Sequence, residues 1–593
     1  MIFVDKLGEV RPNQLITAFG PGAIIEALND SLTVLDLGYW NNSNKGKEIY
    51  DTRLAAYMNV KHFYMPKTGG TEDIPVVSFP YYHVCSNVKC QALFDMRKSF
   101  DIDKYKENKG QVKCPYCSNA NAYPSRFITI CEDGHMDDFP WKWWVHKGSK
   151  TCEGKLTLSS NGQTSSLAEL TVKCSCGAKR SMAGATQKEN FEGLQCSGNH
   201  PHRPFVNIKP CKNQVIPSQR GASNVYFGVV RSAISIPPWI DPINDILSEN
   251  RVAIDALIET FDGMNEHEIG MQKVYEKFFS PRFTREEFDS AYERLKEKIK
   301  EYTDLKEMEY KAITHHQDLA YQKNVKYFKA NEVDVDESFK PWIMRIIQIQ
   351  RLREVRVLTG FTRLEAPDPE IDEQKHIVKL QSGEEDNKWL PVVEINGEGV
   401  FIELNPETIA KWLENPMVAE RSKKYTGFYS KYCEDRGWQN FKSRDAKYVL
   451  LHTLAHLLIK EMAIKSGYSS TSIRERIYSS DDMHGILLYT GAADKEGSLG
   501  GLVELGKMSK FRPLLKDAFE HALVCTTDPE CFMKEPTKSK INGASCHSCT
   551  MISETACENG NRLLDRALVV PLSEHEEMGF FKDLIEDLCG ILM

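Results

Sequence analysis

Long hydrophobic runs are missing from this chain. Nowhere do about 18 uncharged apolar residues follow one another, so no membrane span is expected. No secretory leader is expected either: the opening MIFVDKLGEVRPNQ has no basic n-region and carries Asp5 where a leader would be apolar. A cytoplasmic protein is expected. Positive charge is not in excess. The net charge of -8 gives no whole-chain signature of nucleic-acid binding, though it leaves room for a local basic groove. Catalytic signatures are scarce as well. The chain has no G-x-S-x-G elbow, no Rossmann fingerprint and no carboxylate array suited to two-metal chemistry. The stretch from Gly501 to Met508 approaches G-x4-G-K-[ST], but a thioether at the last position cannot ligate a hard magnesium ion, so no ATP site is expected. No catalytic or cofactor-binding residue is assigned, and the protein is not expected to be an enzyme. No internal repeat is visible.

Cysteine, by contrast, is abundant. Seventeen cysteines in a reducing compartment are poor candidates for disulfides, and their uneven placement suggests metal. At 593 residues the chain is too long for one core. The expected fold class is α+β: multidomain, zinc-stapled, with a helical middle and a C-terminal α/β zinc-binding domain. Residues 1–80 mix short apolar runs with turns. Residues 81–240 are cysteine-rich and should form short strands. Residues 241–360 are expected to be helical; TREEFDSAYERLKEKIKEY opens with a Thr284/Glu287 capping box and repeats Phe288, Tyr292, Leu295 and Ile299 on one face. Residues 361–439 should be β-rich, with WLPVVEINGEGVFIEL folding as a hairpin about Asn396-Gly397. Residues 440–593 close the chain with a helix, a strand and the second cysteine cluster.

The spacing of cysteines yields four candidate zinc sets. Cys85, Cys90, Cys114 and Cys117 form two close pairs of the ribbon type, which fill a tetrahedron and leave no open position. Buried free thiols and an iron-sulfur cluster are the alternatives. Cys174, Cys176, Cys196 and Cys211 make a looser second set. Cys131, His135, His146 and Cys152 make a third, beside Trp141, Trp143 and Trp144; base stacking by a tryptophan is conceivable, but core packing is preferred. Cys546, Cys549 and Cys557 supply three ligands of the last set, with Cys531 preferred to Cys525 as the fourth. Such closed sites contribute folding energy and rigidity and make no nucleophilic water. His452 and His456 lie four apart on one helical face. Thr453 stands where a zincin would carry glutamate, so a buried structural pair is preferred to a metal-dependent hydrolase.

The last cluster resembles a known domain. Cys546-His-Ser-Cys549, then Cys557-x-Asn559-Gly560-Asn561 and Leu564-Asp565-Arg566, is similar to the zinc-binding domain that ends the MrfA-type DNA-repair helicases. Here His547 replaces a proline, Arg566 a lysine, and the gap before the third cysteine is longer. RPNQLITAFGPGA, RFITICEDGHMDDFPWKWWVH, RGASNVYFGVVRSAISIPP, LHTLAHLLI, SGYSSTSIRERIY and GSLGGLV extend the likeness from end to end. They resemble the DrmB family, the core component of the bacterial anti-phage system DISARM. The resemblance implies zinc as cofactor, no helicase motor in this chain, a separate DrmA-like helicase as partner, DNA binding by the pair, and a DNA methyltransferase in the same system. An assembly platform without nucleic-acid contact is the remaining alternative.

Overall fold

The computed structural model describes residues 9–60, 62–67, 74–117, 120–148, 152–160, 162, 166–296, 299–318, 327–381, 388–490, 500–538 and 540–590. Its centre is an antiparallel sheet whose main strands run in the order Phe227–Ile234, Ile343–Thr362, Trp389–Leu404, Met483–Thr490 and Ile473–Ser480. The two long inner strands register Ile346 against Ile402 and Ile347 against Phe401. Alternate side chains leave a strand on opposite faces, and here both faces are covered. Ile346, Val400 and Ile402 pack on the helix Ala446–Ser466, while Ile347, Ile349 and Phe401 pack toward Tyr310 of the helix Tyr302–Thr314. That is why these strands read as nearly continuous apolar runs.

Two expectations about this region need correction. The helical middle is present, but among the described residues before 343 its last helix ends at Thr314, and residues 343–362 form a 20-residue strand rather than the end of a helical segment. Trp389–Leu404 is likewise one continuous strand and not a hairpin. Asn396-Gly397 lies within it because the glycines serve packing, not turning. A Cβ at Gly397 would stand 2.4 Å from Thr490 Oγ1, and one at Gly399 would stand 2.7 Å from the Leu488 carbonyl oxygen. Missing side chains let the neighbouring strand come close.

The helix Ala446–Ser466 is apolar nearly all round, as a helix enclosed by protein must be. Asp445 caps its first turn by accepting from the Tyr448 N–H, and Gly467 ends it in the left-handed region. It lies against the strand Ile473–Ser480 and the helix Met508–Leu523.

The helices Pro242–Glu249, Arg251–Asp262, His267–Phe278 and Arg285–Lys296 build a separate small core around Phe279, Phe288 and Val274. The Thr284/Glu287 capping box is present: the Thr284 N–H donates to Glu287 at 2.9 Å, and the Glu287 N–H donates to Thr284 Oγ1 at 3.2 Å. Nearer the N-terminus, a six-stranded sheet among the described residues runs Lys179–Ser181, Leu170–Cys174, Leu156–Ser160, Ala92–Asp95, Tyr82–Cys85 and Ala122–Pro124. Beside it Met136–Asp138, Phe127–Ile130 and Ile216–Gln219 form a three-stranded sheet. Trp141 and Trp144 are buried among Phe139 and Phe191, as core packing requires. Buried Arg363 joins this region to the central sheet, donating to the carbonyls of Gly134 at 2.9 Å and Gly22 at 3.0 Å and to that of Val225.

Gly397→Val should lower stability by about 1–3 kcal/mol through overpacking against Thr490, seen as an earlier unfolding midpoint in thermal denaturation. An unchanged midpoint would mean that the strands can part at this point without cost.

Candidate metal centres

Strand ends and tight turns deliver the cysteines. Cys85 ends the strand Tyr82–Cys85, and Cys90 precedes Ala92–Asp95. Their sulfurs meet those of the turn that carries Cys114 and Cys117: Cys85 and Cys117 Sγ are 3.5 Å apart, Cys90 and Cys114 Sγ 3.8 Å apart. An ion holding sulfurs tetrahedrally at about 2.3 Å separates them by about 3.8 Å, whereas a disulfide needs about 2.05 Å. Every cysteine is a free thiol, and in this set the donor chemistry and the spacing both fit zinc.

The next two sets bring together the eight residues singled out above, but in different partnerships. Cys131 and His135 converge with Cys196 and Cys211, while His146 and Cys152 converge with Cys174 and Cys176. Strand pairing decides this, not proximity in sequence. Leu156 pairs with Cys174, which carries the adjoining Cys152 to the Cys174–Cys176 turn, and the helix Trp141–Val145 ends at His146. Ile130 pairs with both Met136 and Ile216, which gathers the segments around Cys131, His135 and Cys211. The separations are 3.2 Å from Cys131 Sγ to His135 Nδ1, 3.3 Å from His146 Nε2 to Cys176 Sγ, and 3.6 Å between Cys152 and Cys174 Sγ. Gly154 is needed beside the latter set, since a Cβ there would stand 2.4 Å from Cys174 Sγ.

The C-terminal set also differs from expectation. Cys525 and Cys531 both join Cys546 and Cys549, with Sγ separations of 3.4 Å for Cys525–Cys546, 3.7 Å for Cys531–Cys549 and 3.6 Å for Cys546–Cys549. Cys557 is not among them. The chain between Cys549 and Cys557 runs back to the helix Ala446–Ser466, where the Cys557 thiol lies with His452, His456 and Glu475.

Burial and hydrogen bonding split the thiols of each set into raised and lowered members: burial pushes Cys85, Cys114, Cys174 and Cys211 up, and the hydrogen bonds to Cys131 and Cys549 push Cys196 and Cys531 up. Cys131 is pulled down to about 4 by hydrogen bonding from Cys196 and then His135. Cys549 falls to about 5 through hydrogen bonding from Cys531, and Cys176 to about 6 through the Ala178 N–H and His146. Backbone amides two residues on also point at the sulfurs: Asn87 N–H at Cys85, Tyr116 at Cys114, Gly154 at Cys152 and Gly198 at Cys196, at 3.3–3.4 Å.

Leu564-Asp565-Arg566 holds the C-terminal set in place. Asp565 is fully buried and accepts from Arg421 Nε at 2.9 Å, the Tyr425 hydroxyl at 2.8 Å and the Ala544 N–H at 2.9 Å. Arg566 donates to the Ala522 carbonyl at 2.8 Å and pairs with Asp528 between the cysteines of the CTTDPEC turn. Gly543 leaves room for the carboxylate, since its Cβ would meet Asp565 Oδ2 at 2.2 Å. Sequence reasoning gave these residues no role of their own; an Asp-Arg pair in an otherwise apolar run was the available signal.

The near-miss phosphate loop has a different use. The Leu502 N–H, at the start of Gly501–Glu504, donates to Glu398 Oε1 at 2.8 Å. The N–H groups of Leu505, Gly506 and Lys507 donate to the carbonyls of Leu502, Val503 and Glu504, so the stretch is wound on itself and does not open as a cradle of free amides. His452 and His456 are fully buried. No helix among the described residues is long and apolar enough to cross a membrane.

Comparison with known proteins adds family information. Residues 11–227 match the family described as Domain of unknown function (DUF8724), and residues 454–550 match the MrfA Zn-binding domain. A curated relative, the DISARM protein DrmB of Bacillus paralicheniformis, is 44% identical over 579 residues, covering 95% of this chain and all of that protein. Among solved structures, the crystal structure of the DUF1998 helicase MrfA bound to DNA aligns over 34% of this chain and 22% of that one, at 11% identity and a TM-score of 0.17.

Replacing Asp565 by alanine leaves buried Arg421 with only the Lys534 carbonyl and half-exposed Glu535, and should cost about 3–5 kcal/mol. Chemical denaturation of the purified variant checks this; a loss below about 1 kcal/mol would show that Arg421 finds another partner.

Proposed function

From the premise that this chain belongs to the DrmB family, we propose that it is a noncatalytic, zinc-stapled subunit of a DISARM anti-phage complex, working in the cytoplasm beside a DrmA-like helicase and helping that helicase hold DNA. A DNA methyltransferase of the same system is a further partner. The single observation that carries the proposal is the convergence of cysteine and histidine donors into closed four-membered sets over a chain matched end to end by a DISARM protein. In each set Cys85/Cys90/Cys114/Cys117, Cys131/His135/Cys196/Cys211, His146/Cys152/Cys174/Cys176 and Cys525/Cys531/Cys546/Cys549, all four tetrahedral positions of a zinc ion would be taken by protein. When bound, the ion supplies cross-linking and charge neutralisation. The surrounding amides orient the sulfurs, and the strand ends gain fixed geometry for contact with another molecule.

Two features favour an accessory role over catalysis. The N–H groups of Leu502, Leu505, Gly506 and Lys507 are already taken by acceptors of the protein. A metal-dependent hydrolase on the His452/His456 face would need a water-accessible position, and both imidazoles are enclosed. An assembly platform that touches no nucleic acid is the alternative, with no particular observation in its favour.

Adding the purified protein to its helicase should tighten DNA binding over the helicase alone. Contacts to phosphate would also steepen the salt dependence, by about 0.7–0.9 in the logarithmic slope for each phosphate added. Fluorescence anisotropy at several salt concentrations measures both. Equal affinity and equal slopes with and without the subunit would contradict the proposal.

A further inference from the structure

We infer that His452, His456, Glu475 and Cys557 form a fifth zinc site, fully buried and closed, which fixes the segment after the C-terminal cysteine set to the central sheet. The four donors come from three separate elements. The histidines are one turn apart on the helix Ala446–Ser466, Glu475 lies on the strand Ile473–Ser480, and Cys557 lies in the loop before Asn559-Gly560-Asn561. His452 Nε2 is 3.0 Å from Glu475 Oε1 and 3.2 Å from Cys557 Sγ; His456 Nε2 is 3.3 Å from Glu475 Oε2. Zinc bonds of about 2.0–2.3 Å to nitrogen, oxygen and sulfur would set such donors about 3.3–3.6 Å apart in a tetrahedron.

The outer contacts of these residues point the same way. His456 Nδ1 faces the Thr550 carbonyl oxygen at 2.9 Å, and His452 Nδ1 faces that of Leu563 at 3.3 Å. A ring nitrogen facing a carbonyl must carry the proton, so a neutral imidazole presents a bare lone pair at Nε2, the arrangement that metal-ligating histidines use. Those lone pairs converge on a carboxylate and a sulfur. His456 Nε2 and Glu475 Oε2 face each other at 3.3 Å and have no other hydrogen-bond partner although both are enclosed, a costly state unless a proton or a cation lies between them. Cys557 also shares the backbone signature of the other sets. The N–H of Asn559, two residues on, points at its sulfur at 3.3 Å, and that of Asn561, held in the left-handed region, at 3.2 Å.

Charge closes the argument. A carboxylate and a thiolate neutralise one divalent ion, with two neutral imidazoles completing four ligands. The metal-free rival charges both rings in a site with no exposure, and burying two imidazolium groups is expensive. A fifth ion would bridge helix, strand and loop, whereas the Cys525–Cys549 set closes only neighbouring turns. This inference does not depend on DNA or helicase binding, and its failure would leave the proposed function standing.

Crystals of the full-length protein, measured on either side of the zinc absorption edge, test it directly. An anomalous peak within bonding distance of His452, His456, Glu475 and Cys557 is expected, with five zinc ions per chain by mass spectrometry. Cys557→Ser should reduce that count to four. Cys433→Ser, which removes a buried thiol outside every set, should leave it at five. No peak at the site, an ion other than zinc there, or an unchanged count in Cys557→Ser would overturn the inference. If Cys557→Ser does not fold, the map of the native protein decides.

Discussion

Converging lone pairs are the constraint on which this structure depends. Sulfur and imidazole donors from distant parts of the chain come within 4.8 Å of one another in each set. Uncharged thiols gain little from such crowding, and thiolates repel. A divalent cation turns the same crowding into cross-links worth many ordinary contacts. Fifteen of the seventeen cysteines fall in these sets, leaving Cys433 and Cys589 outside. The short strands of the N-terminal region need such help: several have three to five residues, too few to bury much apolar surface.

Around the donors, the protein supplies fixed partners of its own. Backbone amides two residues beyond a cysteine, the Asp565–Arg421–Tyr425 cluster and the Arg566–Asp528 pair each prevent a loop from shifting. A second network lies nearby. Lys306 bridges Glu370 at 2.5 Å and Glu558 at 2.8 Å, and Arg476 pairs with Glu309 at 2.6 Å, joining the helix Tyr302–Thr314 to the sheet and to the loop that carries Cys557. The Arg444 and Lys306 charges hold the Glu370 carboxyl below its usual range despite its burial. Buried ions so connected specify one arrangement more than they add stability. The outcome is a chain whose motif residues are used on architecture, in keeping with the accessory role proposed above.

How much of this could be read in the sequence follows from the range of each interaction. Cys114/Cys117 and Cys546/Cys549 were legible because a tight turn is local, and the Thr284 capping box for the same reason. The helix around His452 was legible from its apolar run; its Asp445 cap emerged only in the structure. Partnerships among the middle cysteines were not, since Leu156–Cys174 and Ile130–Ile216 pairings are set by the sheet. Asn396-Gly397 carried the strongest short-range turn signal in its stretch, yet close packing against Thr490 overrode it. Glu475 lies in SGYSSTSIRERIY, a stretch read only for its family likeness, and belongs to no metal-ligand spacing. Its one clue was a run of three charged residues, Arg474 to Arg476, between Ile473 and Ile477, a pattern that demands partners once the strand is buried.

X-ray absorption at the zinc edge, on the intact chain in solution, measures the central claim most directly. The five sets contain fifteen sulfur donors, so the account predicts a first shell dominated by sulfur at about 2.3 Å, averaging three sulfurs per ion. A shell dominated by oxygen and nitrogen, or a chain that retains no zinc, would contradict it.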